Sequence, residues 1–548
     1  MDQSAPAAGG EPPSASSKAS SRSGIRRRRR SDETRRHLGR IPLPAPPTWL
    51  LLGAALAIAG AGTWLRLVRI DALGFNSDEA VYAGQAAAIA GVPKLDAIFP
   101  VFRAHPLLFQ LAVSVLYSHF GVSDLTPRLL AVGFGLATVL VGYAIGSRLY
   151  GRPAGLATSL FLAVMPYLVV VNRQALLDGP MTLFAAIALY CLVRYGSEGR
   201  PIWLYATGGA LGLTFLSKET GLLMIPAASA FLALAYSIRV RLRDLGVSLL
   251  LFVLIALPYP LSLMLAGGSG TGKNFLVWQL FRPSNHVWTF YFTVVPAAIS
   301  LPIVVAAAGG VAAALGRGWR WRETLLACWV AVPFLFFQLW PVKGYEYLLP
   351  ISVPVAVLAA AFVTDRRLWA AVTGRLRLGL RLPVVHAILV VGVAATAGVA
   401  CWSQVNAQSA TTFLAGTGGV PGGREAGRWM LAHTPVGSEA LSIGPSMANI
   451  LEFYGERQLL GLSVSPNPLH RNPAYTPVVN ADVLLRTGQV QYVVWDAYSA
   501  SRSPFFAQKL LADERRYNGV VVHVESVAVQ SGGHAVERPV IVIYQVRP

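Results

Sequence analysis

Charge is scarce in this chain. Asp, Glu, Lys and Arg together make up 13% of its 548 residues against 54% hydrophobic ones, and the mean hydropathy is +0.51. A soluble domain gives roughly 25% of its residues to charge. The shortfall excludes an ordinary water-soluble enzyme and means that lipid solvates most of the chain. Acidic residues are the scarcer sign, 26 against 46 basic ones. The basic residues stand in short stretches between apolar segments, where they set membrane orientation, so no nucleic-acid partner is expected. Cysteine is nearly absent. Cys191, Cys328 and Cys401 all lie in apolar segments, which excludes a disulfide framework and reads as small buried side chains. There is no HExxH or CxxC spacing, and His105, His286 and His470 stand alone, so no metal centre is written in the sequence. No cofactor is called for; a divalent cation is left open.

What is present is a series of apolar segments. A spanning helix needs about 20 mostly apolar residues, and candidates fall near 47–66, 106–120, 129–146, 154–171, 180–195, 201–216, 221–237, 246–266, 290–315, 324–340, 347–363 and 384–402. Residues 1–45, with the run Arg26 to Arg30, are too polar to order themselves. They read as a disordered basic cytoplasmic tail with no cleavable signal peptide. The loops around Arg148, Arg194, Arg241, Arg320 and 366–381 also read as cytoplasmic. The first outer loop, 67–105, then faces outward with 172–179, 217–220, 267–289 and 341–346. An inside N-terminus and an outside C-terminal region require an odd number of crossings, so the shortest segment, 106–120, is expected not to cross. The expectation is a polytopic α-helical membrane protein of the cell (inner or plasma) membrane. It has about eleven transmembrane helices over 46–402, and an extracytoplasmic α/β domain over 403–548. In that domain Val490–Trp495, Val520–Val522 and Val540–Tyr544 have strand patterns. A helix is expected over Gly423–Leu431, ending before Pro435.

Two acidic positions fall beside the membrane in outward loops. In Asn76-Ser77-Asp78-Glu79, Ser77 or Asp78 could cap the helix that follows through Ala90; alternatively Asp78 or Glu79 is a general base, ionised at neutral pH. Asp178, before Pro180, could cap the next helix or act in catalysis. Basic groups on the same face are Arg103, His105, Arg128, Arg173, Lys218, Lys273, Arg282 and Lys343. Such residues at a membrane edge are functional candidates, although snorkelling accounts for many of them. Lys343 stands beside Tyr345 and Tyr347, which add hydrogen-bond donors. The run Gly267 to Asn274 approximates a P-loop, but Asn274 replaces the magnesium-binding hydroxyl and no strand precedes it; a flexible loop is expected.

An ordered series of short motifs carries a family resemblance. It runs through Ser77-Asp78-Glu79-Ala80, His105-Pro106-Leu107-Leu108, Thr126-Pro127-Arg128-Leu129-Leu130, Arg148-Leu149-Tyr150-Gly151-Arg152, Asn172-Arg173-Gln174-Ala175-Leu176-Leu177-Asp178, Leu216-Ser217-Lys218-Glu219 and Tyr347-Leu348-Leu349-Pro350. Over about 47–363 the chain resembles the C-type glycosyltransferases. Within them it is most similar to the dolichyl-phosphate-mannose protein mannosyltransferase and lipid A aminoarabinose transferase group (glycosyltransferase family 39-like). The resemblance implies an inverting hexosyl or pentosyl transfer, without a nucleotide, from a polyprenyl-phosphate sugar donor held in membrane lipid. The acceptor, whether lipid, protein or envelope glycan, is unidentified. It places the family's first-loop acidic residue at Asp78, with Glu79 beside it, its arginine at Arg128 and its second acidic residue at Asp178, so Asp78, Glu79 and Asp178 are the expected catalytic carboxylates. With Arg128, the membrane-edge groups Arg173, Lys218, Lys343, Tyr345 and Tyr347 are the expected donor-phosphate ligands. Arg103, His105, Lys273 and Arg282 would belong to the acceptor or donor loops. Leu107, where mannosyltransferases often have a second proline, and the lack of an inserted lumenal sugar-binding-like domain, argue against a protein acceptor. A transporter or lipid flippase without transferase chemistry is the alternative.

Overall fold

The computed structural model describes residues 48–101, 104–265, 271–377, 380–407, 419–531 and 534–547. The expected 1–45 tail lies outside them. The chain divides into two units, Met1–Ala54 and Ala55–Pro548. Of the first, only the opening turns of the helix Thr48–Leu67 are described.

Backbone in lipid must satisfy its own hydrogen bonds, and the apolar segments accordingly form helices. Among the described residues six are long and apolar enough to cross a membrane: Trp49–Leu67, Leu125–Tyr150, Asp178–Glu198, Trp321–Leu339, Tyr345–Val363 and Leu382–Asn406. Two bent pairs bring the number to as many as eight: Leu242–Ala256 with Pro258–Leu265, at 41°, and Phe290–Ile299 with Leu301–Arg317, at 100°. Ser300, at φ 84°, makes the sharper bend. The chain is a multi-pass membrane protein. The segment 154–171 is broken into Arg152–Val164 and Pro166–Val171, because Pro166 offers no N–H and keeps Met165 extended. The segment 106–120 yields only the 13-residue helix Leu108–Phe120.

Small residues let the helices approach closely. A Cβ on Gly208 would lie 2.0 Å from the Ser248 carbonyl oxygen, so Pro201–Ser217 and Leu242–Ala256 pack with their backbones in contact there. Gly208→Ala should therefore cost about 1–3 kcal/mol, read as a lower melting temperature in detergent.

Beyond Asn406 the chain folds around one five-stranded sheet: β1 Glu439–Ser442, β2 Gln458–Gly461, β3 Val490–Asp496, β4 Val520–Ser531 and β5 His534–Gln545, in the order β2-β1-β3-β5-β4. β1 runs parallel to β2 and β3, and β5 is antiparallel to β3 and β4. The helix Gly423–His433 occurs where the sequence places it. In the helix Pro445–Gly455, burial pushes the Glu452 carboxyl up to about 8, against the one backbone N–H, from Leu459, that it accepts. The folded state thus holds this proton more tightly than the unfolded chain does. The group costs nothing below about pH 4.3, its unfolded pKa, and destabilises increasingly as pH rises toward 8. Glu452→Gln should raise the melting temperature by at least about 2 °C at pH 7.5, and the gain should vanish at pH 4.

Candidate active site

The site is built on the first-loop helix, Ser77–Ile89. Its N-cap is Asn76, whose side chain accepts from the Glu79 N–H while Glu79 accepts from the Asn76 N–H, a reciprocal capping box. Asn76, and not Ser77 or Asp78, is the cap. Glu79 points inward and is fully buried. Its carboxylate receives Arg128 Nε at 2.8 Å and Nη2 at 2.9 Å, and the Ala175 N–H at 2.9 Å. Arg128 gives its remaining protons to the carbonyls of Ile70, Leu73 and Gly74, each at 2.8 Å. The sequence expectation is corrected here. Glu79 and Arg128 form an internal ion pair that ties the first loop to the helices, and neither lines the cavity. Arg173 does similar work, donating to the carbonyls of Leu65, Arg66 and Arg69, and it too lies away from the cavity.

One position earlier, Asp78 opens into a cavity of about 1010 Å³. Helical residues form one wall, and Pro445, Ser463, Tyr475 and Arg502 of the sheet domain close the other. Among the described residues Asp78 is the lining carboxylate without a cationic partner. Asp178 receives Lys218 Nζ at 3.0 and 2.9 Å, with Glu346 3.6 Å from the same ammonium. Asp178 is therefore an ion-pair partner in the first turn of its helix, where Leu177 occupies the cap. His105 Nδ1 meets Glu219 at 2.7 Å. Lys218 lies over the Tyr347 ring at 5.2 Å, and Arg282 over Trp278 at 4.7 Å. The protein around the cavity mouth, and then Glu346, push the Asp78 carboxyl above its usual range, against the pull of Lys218, His105 and Arg282.

Lys343 lines the cavity too, but its ammonium faces the carbonyls of Phe337, Gln338 and Trp340 at 3.4, 3.0 and 3.0 Å. It caps the C-terminal end of Trp321–Leu339, a favourable place for a cation. Tyr345 and Tyr347 line the same cavity. Arg103 and the Lys273 side chain lie outside the described residues. Of the expected flexible loop at 267–274, residues 271–274 belong to the helix Thr271–Phe281, and 267–270 lie outside the described residues. The sequence reading missed Glu219, Glu346, His286, Arg471, Tyr475 and Arg502 as lining residues. Glu219 and Glu346 were within reach of it, since each adjoins or nearly adjoins a candidate lysine. Among the described residues no three His, Cys, Asp or Glu side chains gather to hold a metal.

Residues 104–262 match the family model of dolichyl-phosphate-mannose-protein mannosyltransferases. A curated relative is the undecaprenyl phosphate-alpha-4-amino-4-deoxy-L-arabinose arabinosyl transferase 1 of Sodalis glossinidius. It is 30% identical over 263 residues, 44% of this chain and 46% of that protein. The chain spans less than half the length of the curated relatives it matches. Among solved structures, apo ArnT of Cupriavidus metallidurans superposes with a TM-score of 0.64 at 16% identity, over 90% of this chain and 97% of that one. The chain has the fold of the C-type glycosyltransferases. The same ArnT bound to undecaprenyl phosphate gives 0.61 at 16% identity, over 90% and 98% of the two chains. The Archaeoglobus fulgidus oligosaccharyltransferase tethered to an acceptor peptide also gives 0.61, at 13% identity over 89% and 74%. The C-type fold is thus shared along most of this chain, well beyond the 104–262 stretch that the family model matches.

Proposed function

We propose that this C-type glycosyltransferase moves a sugar from a polyprenyl-phosphate donor to an acceptor outside the cytoplasm, with Asp78 as general base. The observation that carries this is the unpaired Asp78 carboxylate in a cavity that also holds Lys218, Arg282 and Lys343. Asp78 takes the proton of the acceptor hydroxyl as that oxygen attacks the anomeric carbon. The bond from that carbon to the phosphate oxygen breaks on the opposite face, inverting the configuration. The departing polyprenyl phosphate carries the electron pair away and needs cations beside it, a preorganised charge of the kind that commonly dominates catalysis. Arg282, which among the described residues has no carboxylate partner, is the direct phosphate ligand in this reading. Lys343, whose protons face carbonyls, adds charge, and the Asp178–Lys218 pair fixes the lysine beside Tyr347. Support comes from the donor chemistry of the relatives: ArnT binds undecaprenyl phosphate, and the Sodalis protein is an undecaprenyl-phosphate-dependent arabinosyl transferase.

In this reading the protein lies in the cell membrane with its N-terminus cytoplasmic and the sheet domain extracytoplasmic. The six long helices, the two bent pairs, the broken segment Arg152–Val171, Pro201–Ser217 and Glu219–Leu234 make eleven crossings, with Leu108–Phe120 at the outer face. Deleting the protein and profiling surface glycans by mass spectrometry tests the function. A glycan lost on deletion and restored by the wild-type chain is expected; an unchanged profile would defeat the reading.

A further inference from the structure

We propose that the sheet domain is a working part of this active site, in which Asn449 is a positioning residue for Asp78. The inference rests on the reading of Asp78 as the base. Residues Asn76 to Glu79 present four consecutive polar side chains, and three of them are tied. Asn76 caps the helix and donates Nδ2 to Gln174 Oε1 at 3.0 Å. Glu79 is clasped by Arg128. Ser77 faces the other way, and its hydroxyl accepts from Asn449 Nδ2 at 2.9 Å. The same nitrogen donates to the Tyr475 hydroxyl at 2.9 Å. An amide nitrogen has two protons, one for each of these partners. The turn that bears Asp78 is therefore held by the helices on one side and by the sheet domain on the other, and the one free side chain of the four is aimed into the cavity.

Asn449 is almost wholly buried, and Tyr475 lines the cavity. Burial first, and then opposition from the Asn449 and Ser77 hydrogen bonds and repulsion by Asp78, leave the Tyr475 phenol at about 12, so it stays a protonated donor at neutral pH. The sheet domain has separate anchors. Tyr454 accepts the Phe75 N–H at 2.9 Å and donates to Asp124 at 3.1 Å, and Arg424 pairs with Asp124 at 3.1 Å. Loss of the Asn449 amide therefore leaves the domain docked and frees only the turn. Displacing a reacting group by about 1 Å can cost 10²-fold in rate, so a freed turn acts on turnover and not on donor binding.

The test uses full-length protein in membranes of the deletion strain, with the deletion-sensitive glycan as product. Asn449→Ala and the space-filling Asn449→Leu should each lower kcat by about tenfold or more. Donor KM, and the Kd for undecaprenyl phosphate alone, should stay within about twofold of wild type. Ser77→Ala added to Asn449→Ala should cost little more, because both remove one link. The acid limb of the kcat profile should move to lower pH in Asn449→Ala, because water reaching the freed Asp78 brings its carboxyl back toward the ordinary range. Wild-type kcat in Asn449→Ala alongside an inactive Asp78→Asn would overturn the inference. So would a raised donor KM with kcat unchanged. If Asp78→Asn itself turns over normally, the reading of the site fails first and takes this inference with it.

Discussion

Asp78→Asn is expected to lower transfer by about 10²–10⁴-fold, the range a positioned general base contributes, while expression, membrane insertion and melting temperature stay near wild type. The reasoning is local. Asp78 is open to the cavity and, among the described residues, has no ion-pair partner, so asparagine of the same shape removes charge and basicity without leaving a buried cation behind. Its first-turn position is also favourable to a negative charge but worth only a few tenths of a kcal/mol on an exposed helix end. Undecaprenyl phosphate binding should persist, because the cations of the cavity remain. Transfer of the deletion-sensitive glycan, measured in membranes, checks this. Wild-type turnover would remove Asp78 from the mechanism.

Glu79→Ala should behave in the opposite way, failing in the fold before the chemistry. Glu79 and Arg128 are both wholly buried, and removing one member of such a pair typically costs about 3–5 kcal/mol, because the other is left as an uncompensated buried charge. Here the stranded guanidinium keeps three carbonyl acceptors but loses both bonds to the carboxylate, and the Ala175 N–H loses its acceptor as well. The expected result is a large fall in melting temperature and in the yield of monodisperse protein in detergent. Arg128→Ala should fall as far, and the double variant should lose less than the two single losses added together. A Glu79→Gln protein that melts like wild type yet cannot transfer sugar would return Glu79 to the catalytic candidates.

These two residues also mark how far sequence reasoning reaches. Asp78 and Glu79 are neighbours of nearly the same chemistry, and the chain around them reads correctly as the start of a helix. One residue of helix turns the side chain by about 100°, which is enough to send one carboxylate to the cavity and the other to the core. The choice depends on Arg128 and Ala175, distant in sequence. Lys343 shows the same limit, since its neighbouring tyrosines suggest a binding role while the carbonyls it meets belong to the end of an adjacent helix. The long apolar helices were legible because composition alone specifies them, and β3 and β5 because their Val and Ile runs are long. β1 and β2, four residues each, were too short to signal. The cavity wall at Pro445, Tyr475 and Arg502 follows from a domain packing that no local pattern encodes.

That wall has a consequence for biosynthesis. Asp78 emerges early from the ribosome, whereas the residues that close the cavity and brace Ser77 lie in the last quarter of the chain. A polypeptide stopped at residue 407 would still hold the long apolar helices described above and could insert, but it would lack the cavity wall that Pro445, Tyr475 and Arg502 supply. On the proposed reading of the site, activity is expected to arrive only with the end of translation, and nascent and truncated forms should be inert.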